Sequence, residues 1–127
     1  MEDFEAFLKK MDLSFFPSGE ASIKLEKALE MMGRSDTCFL DVRTNEETEY
    51  VKFPFALHIP LNEIQDRINE IPKNKHIFIF CVMSPRAAIA YAYLRLKGFE
   101  KARFLPARIG EIAAKFEPGF VLTKKNG

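Results

Sequence analysis

His76-Ile77-Phe78-Ile79-Phe80-Cys81-Val82-Met83-Ser84-Pro85-Arg86 is the run that decides the architecture. Ile77 to Phe80 are apolar at odd and even positions alike. That pattern predicts a strand buried on both faces, as in the middle of a parallel sheet. Beyond the turn, 86–97 is alanine-rich and apolar over most of its surface, so it is expected as a helix, with Gly98 as its stop. Working outward, Cys38-Phe39-Leu40-Asp41-Val42, 56–59 and 102–105 read as further strands. Helices are expected at 20–32, where Ala21, Leu25, Ala28, Leu29 and Met32 form a stripe closed by Gly33. A short one follows Thr44, which supplies a cap ahead of early carboxylates. Asn62 is expected to cap another, whose inner face is Ile64, Ile68 and Ile71 and which Pro72 ends. A last helix is expected at 109–116. Phe4, Phe7, Leu8 and Met11 mark one face of a short N-terminal helix, joined through 14–19. Strands alternating with helices predict an α/β fold with a mainly parallel sheet.

The chain of 127 residues fits one domain, and its 47% hydrophobic content allows a sizeable core. A formal net charge of +1, with scattered lysines and arginines, gives no support for a nucleic-acid binder. No apolar stretch approaches the ~20 residues of a membrane span, and the acidic start MEDFEAFLKK does not read as a signal peptide. Two cysteines do not make a disulfide framework, which favours a reduced, cytoplasmic setting.

In open parallel sheets, ligands bind beyond the carboxyl ends of the strands. That rule selects the loop that begins at Cys81. The amides of Val82, Met83, Ser84, Arg86 and Ala87 are placed to form an anion cradle, to which Pro85 contributes none. The dipole of the following helix and the charge of Arg86 both favour thiolate over thiol. A cysteine often merely fills space in a core, but here loop, arginine and helix converge on it. Cys38 has no such loop and reads as structural. His58 and His76 have no partner at metal-ligand spacing, and Asp41 and Arg43 read as ion-pair residues. Met83 is expected at the mouth of the loop.

These pieces, in this order, resemble the rhodanese (sulfurtransferase) domain family over residues 20–121. Phe39-Leu40-Asp41-Val42-Arg43, followed by Glu46-Glu47, is similar to its hydrophobic-Asp-Val-Arg signature. Phe53-Pro54-Phe55-Ala56-Leu57-His58-Ile59-Pro60 resembles its "HIPGAxxIP" segment. Ile77 to Cys81 with Arg86 resemble its central strand and active-site loop, Gly98-Phe99 its "GF", and Pro118-Gly119-Phe120, loosely, its closing turn. The resemblance implies a rhodanese-like α/β fold, its mainly parallel central sheet flanked by helices on both faces. It divides the chain into an N-terminal helical extension, 1–19, and a rhodanese-like domain, 20–127. It further implies that Cys81 is catalytic and carries a sulfane sulfur as a persulfide to a thiol or cyanide-type acceptor. Val82, Met83, Ser84, Arg86 and Ala87 then bind substrate, and no metal or organic cofactor is required. The implied partners are a small-molecule or protein persulfide donor and a thiol acceptor, without nucleic acid or membrane. The N-terminal helix is a docking face for a protein partner if it does not pack on its own domain.

Four residues separate Cys81 from Arg86, one fewer than in phosphatases on related scaffolds, and the shorter ring suits sulfur better than a tetrahedral phosphate. The chain departs from the family pattern at Ser84 (glycine in the family), Lys52 (histidine) and Phe55 (glycine). It also lacks the glycine pair after the last strand and any tryptophan. The apolar Val82-Met83 rim offers little attraction for a dianion such as thiosulfate and suits an organic or protein persulfide. The alternative reading is a catalytically weak rhodanese-fold binding or regulatory module.

Overall fold

A computed structural model describes residues 3–118. Its four strands are β1 (Thr37–Asp41), β2 (Ala56–His58), β3 (His76–Phe80) and β4 (Ala102–Phe104), in the order β2-β1-β3-β4. All three pairings are parallel. The run that is apolar on both faces therefore lies between two neighbours, where burial of both faces requires it. Side chains alternate across the sheet. Ile77, Ile79 and Cys81 join Leu40 and Val42 in one apolar cluster, while Phe78 and Phe80 join Phe39 in another. The four β3 residues Ile77 to Phe80 are fully buried, and each contributes roughly 1.5–3 kcal/mol relative to exposure.

The helices are α1 (Phe4–Lys9), α2 (Leu25–Glu30), α3 (Asn45–Tyr50), α4 (Pro85–Leu96) and α5 (Ile109–Ala114). Helix α4 buries Ala87, Ala90, Tyr91 and Leu94 on the Ile77/Ile79 face. This is helical spacing, with alanines where the helix meets the sheet closely. Leu25, Ala28 and Leu29 of α2 and Ile112 of α5 cover the phenylalanine face. Both faces of the sheet are thus clad, as expected. Gly98 holds φ 94° just beyond α4, the left-handed conformation that ends a helix and that a side chain disfavours.

Two helices expected from the sequence are not formed as such. Residues 20–32 yield only the six-residue α2. Ahead of it the chain is extended along β4: the Ile23 amide donates to the Phe104 carbonyl (3.2 Å) and the Phe104 amide to the Ala21 carbonyl (2.9 Å). The open edge of a sheet needs those partners, and a helix beginning at 20 would leave it bare. The stretch carrying Ile64, Ile68 and Ile71 forms two 3₁₀ turns, Leu61–Glu63 and Ile68–Glu70, entered from Pro60 with no cap from Asn62. Arg67, at φ −117° and ψ 18°, breaks the helical path between them. Ile64 and Ile71 are nonetheless buried, so the spacing had marked the inward side correctly. Helix α1 is capped by Asp3, whose Oδ1 accepts from the Ala6 amide (2.8 Å). It packs on its own domain through Phe7, whose ring lies 6.1 Å from that of Tyr91. Of the expected stripe, Phe7 is buried and Met11 partly so, while Phe4 and Leu8 remain about half exposed.

Candidate active site

Cys81 is the first residue beyond β3, and its side chain is 1% exposed. Neighbouring segments grip the backbone around it. The Phe80 carbonyl accepts from the Val42 amide (3.1 Å), that of Ile79 from Leu105 (2.8 Å), and that of Val82 from Ile109 (3.1 Å). The loop therefore rests on the continuation of β1, the continuation of β4 and the start of α5. Val82 and Met83 stand at the surface, 41% and 45% exposed. Ser84 occupies the N-cap position of α4, but its side chain caps nothing. Pro85 opens the helix, a position where a missing amide breaks no helical bond. Among the described residues, the amides of Val82, Met83, Ser84, Arg86 and Ala87 donate no hydrogen bond. They are the orphan donors of a twelve-residue helix and its lead-in loop, available to an anion beside Cys81.

Arg86 is not free. Its Nη1 and Nη2 donate to Oε1 and Oε2 of Glu47 at 2.6 and 2.9 Å, a two-pronged ion pair. Those hydrogen bonds from Arg86, helped by Thr44, push the Glu47 carboxyl down to about 2. The Arg86 pKa is raised in turn, chiefly by the same bonds. Glu47 reaches this place because α3 is held by a reciprocal cap. Thr44 Oγ1 accepts from the Glu47 amide (3.3 Å), while Glu47 Oε1 accepts from the Thr44 amide and hydroxyl (3.0 Å each). Sequence reasoning had read Glu47 as a helix-start carboxylate and a piece of the family signature, and it missed the partnership with Arg86. The signal was the Thr44-to-Glu47 spacing, which forecasts the cap but not that both carboxylate oxygens also accept from Arg86.

Asp41 and Arg43, which read from the sequence as ion-pair residues, have each other as partners. Arg43 Nη2 donates to Asp41 Oδ2 (2.7 Å) and to the Val51 carbonyl (2.9 Å), with both side chains buried. The pair fastens the end of β1 to the far end of α3. His58 donates from Nε2 to the Arg43 carbonyl (2.7 Å), and His76 opens β3 with its ring tilted over Phe78. Among the described residues no group of three or more His, Cys, Asp or Glu is arranged to hold a metal. Cys38 lies in register with Ile77, four positions of strand ahead of Cys81. That is about 13 Å along the sheet, beyond disulfide reach, and both thiols are free. Burial pushes the Cys38 thiol pKa up, with Lys75 opposing. A groove of about 690 Å³ lined by Lys10, Lys73, Arg95 and Gly98 sits at the amino-terminal end of the strands, opposite Cys81. It holds no cysteine and shares no residue with the loop. Among the described residues no helix is long and apolar enough to cross a membrane.

Residues 24–109, strand β3 and the Cys81 loop included, match the family model of the rhodanese-like domain. The chain belongs to the rhodanese-like domain family. A sulfurtransferase of Allochromatium vinosum is 37% identical over 78 residues, which cover 61% of this chain and 71% of that protein. A putative sulfur carrier protein of Bacillus subtilis, YrkF, is 40% identical over 62 residues, covering 49% of this chain and 34% of its own. The crystal structure of a rhodanese-like domain protein from Staphylococcus aureus superimposes with a TM-score of 0.64 at 30% identity, covering 71% of this chain and 88% of that one. The chain spans about a third of the length of the B. subtilis relative, so the rhodanese-like domain is one part of that longer protein. The pattern is thus a rhodanese-like domain of four parallel strands, with a buried cysteine beneath a loop of unpaired amides.

Proposed function

We propose that this protein is a sulfurtransferase in which Cys81 carries the sulfur. The observation that supports it most strongly is the union of one cysteine with five undonated amides at the start of α4. A thiolate at Cys81 attacks the outer sulfur of a persulfide, R–S–SH. The donor's S–S bond breaks, R–S⁻ leaves, and Cys81–S–SH forms with no external oxidant. An acceptor thiolate or cyanide then attacks that outer sulfur and restores the Cys81 thiolate. The loop amides stabilise the persulfide anion that forms on deprotonation. Val82, Met83, Ser84, Arg86 and Ala87 shape the entry and the cradle. The names of the relatives, a sulfurtransferase and a putative sulfur carrier protein, agree with this chemistry.

The test is intact-mass measurement after exposure to a persulfide donor, followed by peptide mapping. One added sulfur on Cys81, absent in Cys81→Ser, is the expected result. Cys38 serves as an internal control: burial pushes its thiol pKa up, which disfavours the thiolate, and no added sulfur is expected there. If no donor loads Cys81, the proposal fails.

A further inference from the structure

We propose that Glu47 sets the donor class of this site, so that it draws sulfur from organic persulfides, which carry at most a single charge, in preference to thiosulfate-type dianions. This deepens the sulfurtransferase reading and rests on it. Arg86 is the single cation among residues 81–87, and both of its terminal nitrogens are occupied by Glu47. Because Arg86 holds Glu47 ionised down to about pH 2, the pair carries no net charge across the neutral range. The other charged residues behind the site, Asp41 and Arg43, also cancel each other. Within residues 81–87, what remains for an anion is the partial charge of the loop amides; the next cation is Arg108, exposed and one residue before the Ile109 amide that meets the Val82 carbonyl. The loop amides suit the single charge of a persulfide anion but leave the sulfonate head of thiosulfate without a counter-charge within the loop. A dianion reaching for Arg86 must displace a carboxylate that already makes two short bonds to it.

The surroundings of the pair point the same way. Tyr50 is three residues beyond Glu47 on α3, and Ile89 three beyond Arg86 on α4, so each shares a helix face with one half of the bridge. They are 87% and 59% exposed, and Val82 and Met83 of the loop are 41% and 45% exposed, so large apolar groups face solvent on both helices of the bridge and on the loop. An alkyl group gains from such groups, and a sulfonate loses hydration to them.

The experiment compares single-turnover loading of Cys81, followed by mass, from thiosulfate and from n-butyl persulfide. It uses the wild-type chain, Glu47→Gln and Glu49→Gln. Glutamine keeps an oxygen for the Thr44 amide and hydroxyl, so the cap of α3 survives while the charge is lost. The wild type is expected to load at least tenfold faster from butyl persulfide than from thiosulfate. Glu47→Gln should raise the thiosulfate rate about tenfold, the effect of removing a unit charge that faces a dianion a few ångströms away in water. It should leave the butyl persulfide rate within about twofold. Glu49→Gln removes the same charge from an exposed position of α3 and should leave both rates within about twofold. Equal loading of the wild type by both donors overturns the inference and leaves the sulfurtransferase reading standing. So does a Glu47→Gln rate for thiosulfate that rises less than about threefold. Loading by neither donor overturns the sulfurtransferase reading itself, and the inference with it.

Discussion

Replacing Arg43 by methionine strands a carboxylate that has no access to water. Asp41 and Arg43 have side chains 2% and 3% exposed. The guanidinium donates from Nε to Asp41 Oδ1 (3.0 Å), from Nη2 to Oδ2 (2.7 Å), and from Nη2 to the Val51 carbonyl (2.9 Å). Its Cζ also lies 5.2 Å from the centre of the Phe53 ring. Methionine preserves an apolar stem against Phe53 but none of these donors. Asp41 then keeps one bond, from the backbone amide of residue 43 at 3.0 Å. Removing one partner of a buried pair destabilises by about 3–5 kcal/mol. The retained amide places the expected loss at the lower end, about 3 kcal/mol. Total stabilities are roughly 5–15 kcal/mol. With a urea slope of about 1–3 kcal/mol/M, the midpoint should fall by about 1–3 M. The double variant Asp41→Leu/Arg43→Met removes the stranded charge as well and should recover at least half of the loss. The assay is urea unfolding followed by circular dichroism. A loss below about 1 kcal/mol for Arg43→Met would refute the reasoning, as would a double variant that simply sums its two parts.

Three further outcomes follow from the same geometry. The folded pKa of Glu47 is depressed from 4.5 to about 2 by Arg86, so its stabilisation is present above pH ~4.5 and lost as pH falls toward about 2. Urea midpoints taken across that window should therefore decline, less steeply in Glu47→Gln than in the wild type, and parallel curves would contradict this. Thr44→Ala removes both hydroxyl bonds of the α3 cap and should lower stability by about 1 kcal/mol, near 4 °C in Tm, whereas Thr44→Ser should not. Gly98→Ala should lower stability by about 1–2 kcal/mol in calorimetry, because the residue sits at φ 94° and its new Cβ meets Lys73 Cε at 3.1 Å.

Strand β3 was legible because its four apolar residues Ile77 to Phe80 leave no face for water. Helix α4 was legible because an apolar, alanine-rich run of good helix formers is closed by Gly98. The expected helix at 20–32 misled because its stripe of apolar positions does not reveal that Ala21 and Ile23 meet the edge of β4. The expected helix begun by Asn62 misled for a related reason. Isoleucines at 64, 68 and 71 fill the same side whether the backbone between them is α-helical or two 3₁₀ turns, since burial rewards the side chains and not the hydrogen-bond ring.

By itself the amino-acid sequence determined the α/β class, the place of Cys81 at the end of a buried strand, and the loop and helix that follow it. Each is a local pattern, set by periodicity and by proline or glycine within a few residues. Only the tertiary structure decided the electrostatic character of that loop. Arg86 and Glu47 stand 39 residues apart, and nothing between them shows that they meet. They meet because parallel pairing of β1 with β3 sets the segment after β1 beside the start of α4, and because Thr44 holds the carboxylate toward it. A charge visible in the sequence as a free arginine is, in the fold, already answered.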